Sequence, residues 1–219
     1  MSTNGVYFGN IHSFDDLGLI LSAVEIPPAK AKTTYLDIPG ADGSVDLTEA
    51  LGEVKYSDRE GVKFTFTMNP DGDLSESAWE AKKKEISNLL NGKRFNVRLD
   101  KDPDYYWLGR CSVDEYLSDR RIRQFVVGAR FAPYKLKSAV TRVVCPAGQK
   151  VPVTLRNGRM RAIPTITATA QATVIFNGNT FTFNAGTHKD LNIILYEGEY
   201  PVTVTSTAPV EFSYQEGDL

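Results

Sequence analysis

Val174-Ile175-Phe176-Asn177-Gly178-Asn179-Thr180-Phe181-Thr182-Phe183 reads as two short strands, 174–176 and 180–183, folded back on each other at Asn177-Gly178. Asn-Gly between β-branched and aromatic residues is a strong two-residue hairpin signal. Its neighbours carry the same texture. Upstream, Pro164 opens a run with Ile166, Ala168 and Ala170 on one face, and downstream Glu197-Gly198 separates two expected strands, 191–196 and 200–205. A final strand carries Val210, Phe212 and Tyr214. Earlier in the chain, 123–131 is apolar at Phe125, Val127, Ala129 and Phe131. Phe95, Val97 and Leu99 alternate before a Pro-containing turn, 100–104, leads into 105–108, which predicts another hairpin. Strands at this spacing with no helices between them imply a mainly β protein built as an antiparallel sandwich.

One helix interrupts the pattern, between Ser75 and Asn91. Ser77 and Glu80 have capping-box spacing, and Asp73 with Glu76 offers an alternative start. Trp79, Ile86 and Leu90 recur at helical spacing, with Leu89 widening the stripe, and Asn91-Gly92 supplies the stop. Glu80 and Lys84 form an expected i,i+4 pair. Lys82 falls near the stripe and must snorkel. The run Lys82 to Lys84 is read as a solvated face in preference to a phosphate contact.

At 219 residues the chain has room for one large or two small domains. Both tryptophans, most charged residues and the helix lie in the first part; the later part is rich in Thr, Val and Ala. A boundary near Ala132-Pro133-Tyr134-Lys135 gives an expected division into 1–136 and 137–219. The net charge of −2 gives no electrostatic reason for a dedicated nucleic-acid or membrane-surface binder. No Lys or Arg precedes Lys30, so no basic n-region of a secretory signal is expected. The longest apolar stretch, 17–24, falls far short of a membrane span of about 20 residues. The expectation is a soluble protein, made in the cytosol and reduced, with no membrane partner.

Catalytic chemistry finds little to stand on. The sequence has no GxSxG, HExxH, GxGxxG or GxxxxGK motif. Its two histidines, His12 and His188, fall on opposite sides of the boundary and read as structural. Cys111 and Cys145 form no CxxC and read as two buried thiols, with a single bridge between them left open. Asp100, Asp102 and Asp104 imitate the start of a calcium loop, but Tyr105 occupies the glycine position and Cys111 the twelfth. Asn69, Asp71 and Asp73 place Glu80 at the twelfth position, yet Leu74 stands where glycine is needed. Turn and cap chemistry accounts for both clusters, and nothing holds two acids in one cleft for glycoside hydrolysis. The expected catalytic, cofactor and metal sites are therefore none, and no enzyme is expected.

Several segments, taken in order, resemble the distal tail proteins of long-tailed phages. They are NGVYFGNIHSFDDLGLIL at 4–21, IPGADGSVDLTEAL at 38–51, VKFTF at 62–66 and the Trp79 helix ending in LLNGK at 89–93. DPDYYWLGRCSV at 102–113 and PYK at 133–135 follow, then IPTITATA at 163–170, FNGNTFTF at 176–183 and EFSYQEGDL at 211–219. The resemblance spans essentially the whole chain. It implies an N-terminal ring-forming (belt) domain, a β-sandwich or split barrel with one helix, and a C-terminal galectin-like β-sandwich. It also implies a homo-hexameric ring in the virion at the tail tip, assembled in the bacterial host cytoplasm. Such a ring joins the tail tube protein to the tail-tip lysin or fibre protein and carries receptor-binding protein. Genomic DNA passes through its lumen without specific binding, which fits a near-neutral composition. The alternative is a carbohydrate-binding sandwich contacting the host cell wall, for which Tyr196, Tyr200 and Tyr214 are the candidate stacking platforms.

The stretch Ile38-Pro39-Gly40-Ala41-Asp42-Gly43-Ser44 reads by itself as a turn between strands, since Pro-Gly and Asp-Gly are both turn signals. The resemblance makes it a loop or arm contacting the neighbouring subunit, with Pro39, Gly40, Asp42 and Gly43 as the candidate interface residues.

Overall fold

Strand 59–68 shows how the sequence builds the first half. Val62, Phe64, Phe66 and Met68 are buried while Gly61 and Lys63 are exposed and Thr65 and Thr67 half-buried, the period-two alternation of a sheet with one covered face. The structure, a computed structural model, describes residues 5–50, 52–118 and 122–219. Its elements begin with β1 (Val6–Phe8), β2 (Ile11–His12), β3 (Leu19–Glu25), β4 (Ala31–Lys32), β5 (Tyr35–Asp37) and β6 (Ser44–Asp46). β7 (Lys55–Tyr56), β8 (Arg59–Met68), α1 (Glu76–Leu90), β9 (Arg94–Leu99), β10 (Tyr105–Ser118) and β11 (Arg123–Phe131) follow. Next come β12 (Lys135–Lys137), β13 (Thr141–Cys145), β14 (Gly148–Asn157), β15 (Thr165–Ala168) and β16 (Ala172–Phe176). The chain finishes with β17 (Asn179–Phe183), β18 (Gly186–Lys189), β19 (Gly198–Ser206), β20 (Val210–Tyr214) and β21 (Gly217–Asp218). It divides into two compact units, up to residue 135 and from residue 136.

In the first unit an antiparallel sheet runs in the order β2-β1-β9-β10-β11-β8-β3. β1 and β8 are not neighbours in that order. Even so, Phe8 of β1 lies 6.1 Å from both Phe64 and Phe66 of β8, ring centre to ring centre. The sheet therefore curls until its two sides share one core, which also holds Val97, Trp107, Cys111, Phe125 and Phe131. The helix packs against this core through Trp79, which meets Phe125 at 4.7 Å, together with buried Ile86 and Leu90.

Two details of the helix differ from expectation. Its N-cap is Ser75, whose hydroxyl accepts from the Ala78 amide, while Ser77 already sits in the first turn. The Asp73 carboxylate accepts the Ser75 amide at 2.8 Å, which fixes the start two residues before the Ser77 reading. Glu80 pairs with Lys83 and not with Lys84, because Lys83 is held over the rings of Trp79 and Tyr116 at 5.6 and 5.8 Å. Lys82 is partly buried and reaches Glu85 at 2.6 Å. The stop is as expected, with Gly92 at φ 73°.

The second unit is a sandwich. Sheets β13-β20-β15-β18 and β14-β19-β16-β17 bury one shared core that includes Ile166, Val210 and Phe212 from one sheet and Leu155, Val174, Phe176, Val202 and Val204 from the other. The hairpin forms with Phe176 opposite Asn179. Asn177 and Gly178 carry φ of 48° and 78°, the left-handed pair that a two-residue turn matching strand twist requires. The expected strand at 191–196 is absent. Asp190 caps a turn by accepting the Asn192 amide at 2.8 Å, and only Leu195 bridges, to Ala162. The Asn157 amide donates to the carbonyls of Leu195 and Tyr196, at 3.0 and 3.1 Å, beside the Ala162 amide that also reaches the Leu195 carbonyl. Cys111 and Cys145 are free and buried, one in each unit.

Candidate functional site

The four candidate interface residues lie together at the tip of a two-stranded arm. Its root is fixed by a buried arginine: Arg59 donates from Nε to the Pro133 carbonyl at 2.9 Å and from a terminal nitrogen to the Pro27 carbonyl at 2.8 Å. Above the root, β4 pairs with β7, and the Ser57 amide donates to the Lys30 carbonyl at 2.9 Å. The ribbon continues through Thr34, whose amide donates to Thr48 Oγ1 at 3.0 Å and whose carbonyl accepts from Leu47 at 2.8 Å. β5 and β6 then pair Tyr35 with Asp46, Leu36 with Val45 and Asp37 with Ser44. The Ala41 amide closes back on the Ile38 carbonyl at 3.1 Å, around Pro39 and Gly40. Gly40 sits at φ 82°, the left-handed third position that a Pro-Gly turn demands of glycine.

Among the described residues this ribbon pairs with no other strand, and it hides almost nothing. Of residues 33–50, all are exposed except Thr48, which is half-buried. Tyr35, Leu36, Ile38, Val45 and Leu47 are exposed, with Tyr35 at 59%. The segment 33–54 also carries Asp37, Asp42, Asp46, Glu49 and Glu53 and no Lys, Arg or His. Hydrogen bonds from the Thr48 hydroxyl and amide hold the Asp46 carboxyl below its usual range. The segment thus combines exposed apolar side chains with a single sign of charge.

The other candidate residues have structural duties. His12 is buried, with Nε2 3.1 Å from Asp100 and Nδ1 accepting the Asp15 amide at 3.2 Å. His188 lies in the other unit, 2.9 Å from the Asn184 carbonyl and against Phe183. Asp102 is bound by Lys135 at 2.9 Å. Among the described residues no group of three or more His, Cys, Asp or Glu could hold a metal ion. Desolvation pushes the Cys111 thiol up to about 12, away from nucleophilic chemistry. Of the three tyrosines, Tyr214 is buried and its hydroxyl donates to the Arg156 carbonyl. Tyr200 is half-buried and stacked on Phe176 at 5.6 Å, which leaves Tyr196 as the exposed one.

A second surface was not legible in the sequence. An open groove of about 710 Å³ runs over the first unit's sheet, lined among others by Lys63, Arg94, Arg110 and Arg130. Each arginine occupies an ordinary outward position on its own strand. Only the strand register brings them together, and register is a long-range property.

No family model matches the sequence, and no curated protein does. Among solved structures, the chain is similar to the Dit protein of phage SPP1, described as a paradigm of the hub adsorption apparatus in phages infecting Gram-positive bacteria. The TM-score is 0.72 at 13% identity, covering 99% of both chains. A second match, the insecticidal crystal protein Cry2Aa, has a TM-score of 0.21 at 12% identity over 97% of this chain and 56% of that one. The first likeness shows that this chain has the SPP1 Dit fold from end to end.

Proposed function

We propose that the protein is a structural hub at the tip of a phage tail. In this reading, six copies close into a ring that joins the tail tube to the tail-tip lysin or fibre and to receptor-binding protein. The observation that carries it is the end-to-end match to SPP1 Dit: a likeness covering both units speaks for the role of the whole chain and not for one borrowed module. The arm supports it physically. A heterologous interface that closes on itself needs a projecting element on one side of the subunit and a receiving surface on the other. Pro39, Gly40, Asp42 and Gly43 would then shape the contact between neighbouring subunits. The first unit forms the ring, and the galectin-like second unit is the platform for receptor-binding protein. The genome crosses the lumen without being held, and the protein performs no catalysis itself.

Negative-stain imaging of concentrated protein, alone and with a tail-tip fibre or lysin protein, tests this reading. Rings with a central pore are expected. A single-copy species in both conditions that binds wall polysaccharide would favour a sugar-binding sandwich instead.

A further inference from the structure

Strand register creates an arrangement on the first unit's outer sheet face that is unfavourable in isolation. Arg94 of β9 stands opposite Arg110 of β10, and Arg110 stands opposite Arg130 of β11. Three guanidinium groups therefore line up across three adjacent strands, where like charges directly opposite destabilise a sheet. The relief inside the chain is uneven. Arg130 meets Asp58 at 3.0 Å and Glu60 at 3.2 Å, and Arg110 donates to the Gly92 carbonyl. Arg94 and Lys63 stand exposed beside them. Leu108 and Ala132 add apolar surface to the same groove. Its carboxylates are Asp58, already turned to Arg130, and Asp114, which accepts from the Ser112 hydroxyl at 2.5 Å. The result is a cationic row over a partly apolar floor.

The same chain carries the inverse surface. Beyond the β4–β7 pair, which carries Lys32 and Lys55, segment 33–54 of the arm offers five carboxylates, no cation and five exposed apolar side chains. We propose that the arm of one copy lies along the Arg94–Arg110–Arg130 row of a second copy, carboxylates to guanidiniums and apolar side chains to Leu108 and Ala132. This deepens the reading of the arm as a subunit contact, on which it rests, by naming the surface that receives it. A nucleic acid fits less well. Its backbone has no counterpart for the apolar floor, which the exposed apolar side chains of the arm can cover. Two copies docked head to tail still have one free arm and one free row between them, the condition for adding copies until a ring closes.

Charge exchange tests the pairing. K63E/R94E alters the row at two exposed positions, and D42K/E49K alters the arm at two others. With circular dichroism and melting unchanged, each variant alone is expected to self-associate about tenfold or more weakly than wild type in analytical ultracentrifugation. An equimolar mixture of the two should restore association, because each basic arm then meets an acidic row and each acidic arm a basic one. Restoration on mixing also requires docking between copies and not an arm folded onto its own groove. Wild-type-like association of K63E/R94E, or loss with no recovery on mixing, would overturn the pairing. So would a short DNA duplex that binds wild type and not K63E/R94E while self-association is unaffected. If wild type forms rings and K63E/R94E forms them equally well, only this docking fails. If wild type never self-associates, the ring reading fails with it.

Discussion

The molecule contains two β-ribbons of similar length and opposite circumstance. The β16–β17 hairpin turns on Asn177-Gly178, extends a sheet through β19 and buries Val174, Phe176 and Phe183. The β5–β6 ribbon turns on Pro39-Gly40, extends no sheet and buries nothing. An isolated two-stranded ribbon is marginal in water. The hairpin is thus held by its own domain, whereas the arm is held at its root by Arg59 and at its tip by turn chemistry, with its apolar side chains unclaimed. One ribbon gives its apolar side chains to a core and the other leaves them exposed.

The strongest way to break this contrast is to empty each core. Trp79→Ala and Phe176→Ala should each destabilise their own unit by roughly 3–5 kcal/mol. The buried thiols report the units separately: Cys111 should gain alkylation in the first variant and Cys145 in the second. Simultaneous exposure of both thiols in either variant would mean that the units unfold as one, against the proposal that 137–219 folds alone. The turns come next. Gly178→Val forces a β-branched residue to positive φ and should cost the second unit about 1–2 kcal/mol. Gly40→Val imposes the same strain on the arm, yet should leave both unfolding transitions where they are. At the next level down, Leu36→Ala and Val45→Ala should change the stability of the single copy by no more than about 0.5 kcal/mol, as exposed positions do. Their effect is expected on self-association, measured by sedimentation.

The smallest effect concerns pH. The folded Asp46 carboxyl sits below its unfolded value because Thr48 donates to its ionised form. That contribution is therefore fully present above the unfolded value and is lost as pH falls through the folded one. Acid titration should loosen the Asp46–Thr48 turn, followed through the Thr48 amide resonance, while leaving the Phe176 region unchanged. A Thr48 amide that stays fixed throughout the acid titration would contradict this.

Much of the architecture was legible because it is written in local pattern. Alternation at Phe95, Val97 and Leu99, the Asn177-Gly178 turn and the Trp79, Ile86, Leu90 stripe each specify an element within a few residues. The misses have non-local causes. Segment 191–196 is apolar enough to read as a strand, but Asp190 turns its start and its one backbone bridge runs from Leu195 to Ala162, far upstream. Lys83 wins Glu80 from Lys84 because Tyr116, on another strand, helps to position it. At the candidate site, Pro39-Gly40 announced a turn, whereas the isolation of the ribbon around it could be seen only once no other strand paired with it. The arginine row depended wholly on register. Residues 1–4, where the resembling segment 4–21 begins, and Leu51, where 38–51 ends, lie outside the described residues.

The central claim, that this chain is a ring-forming hub, is tested most directly by native mass spectrometry of the full-length protein over a range of concentrations. A closed species of six copies, lost in D42K/E49K, is the expected result. A mass of 24.3 kDa at every concentration, for wild type and variant alike, would contradict the claim.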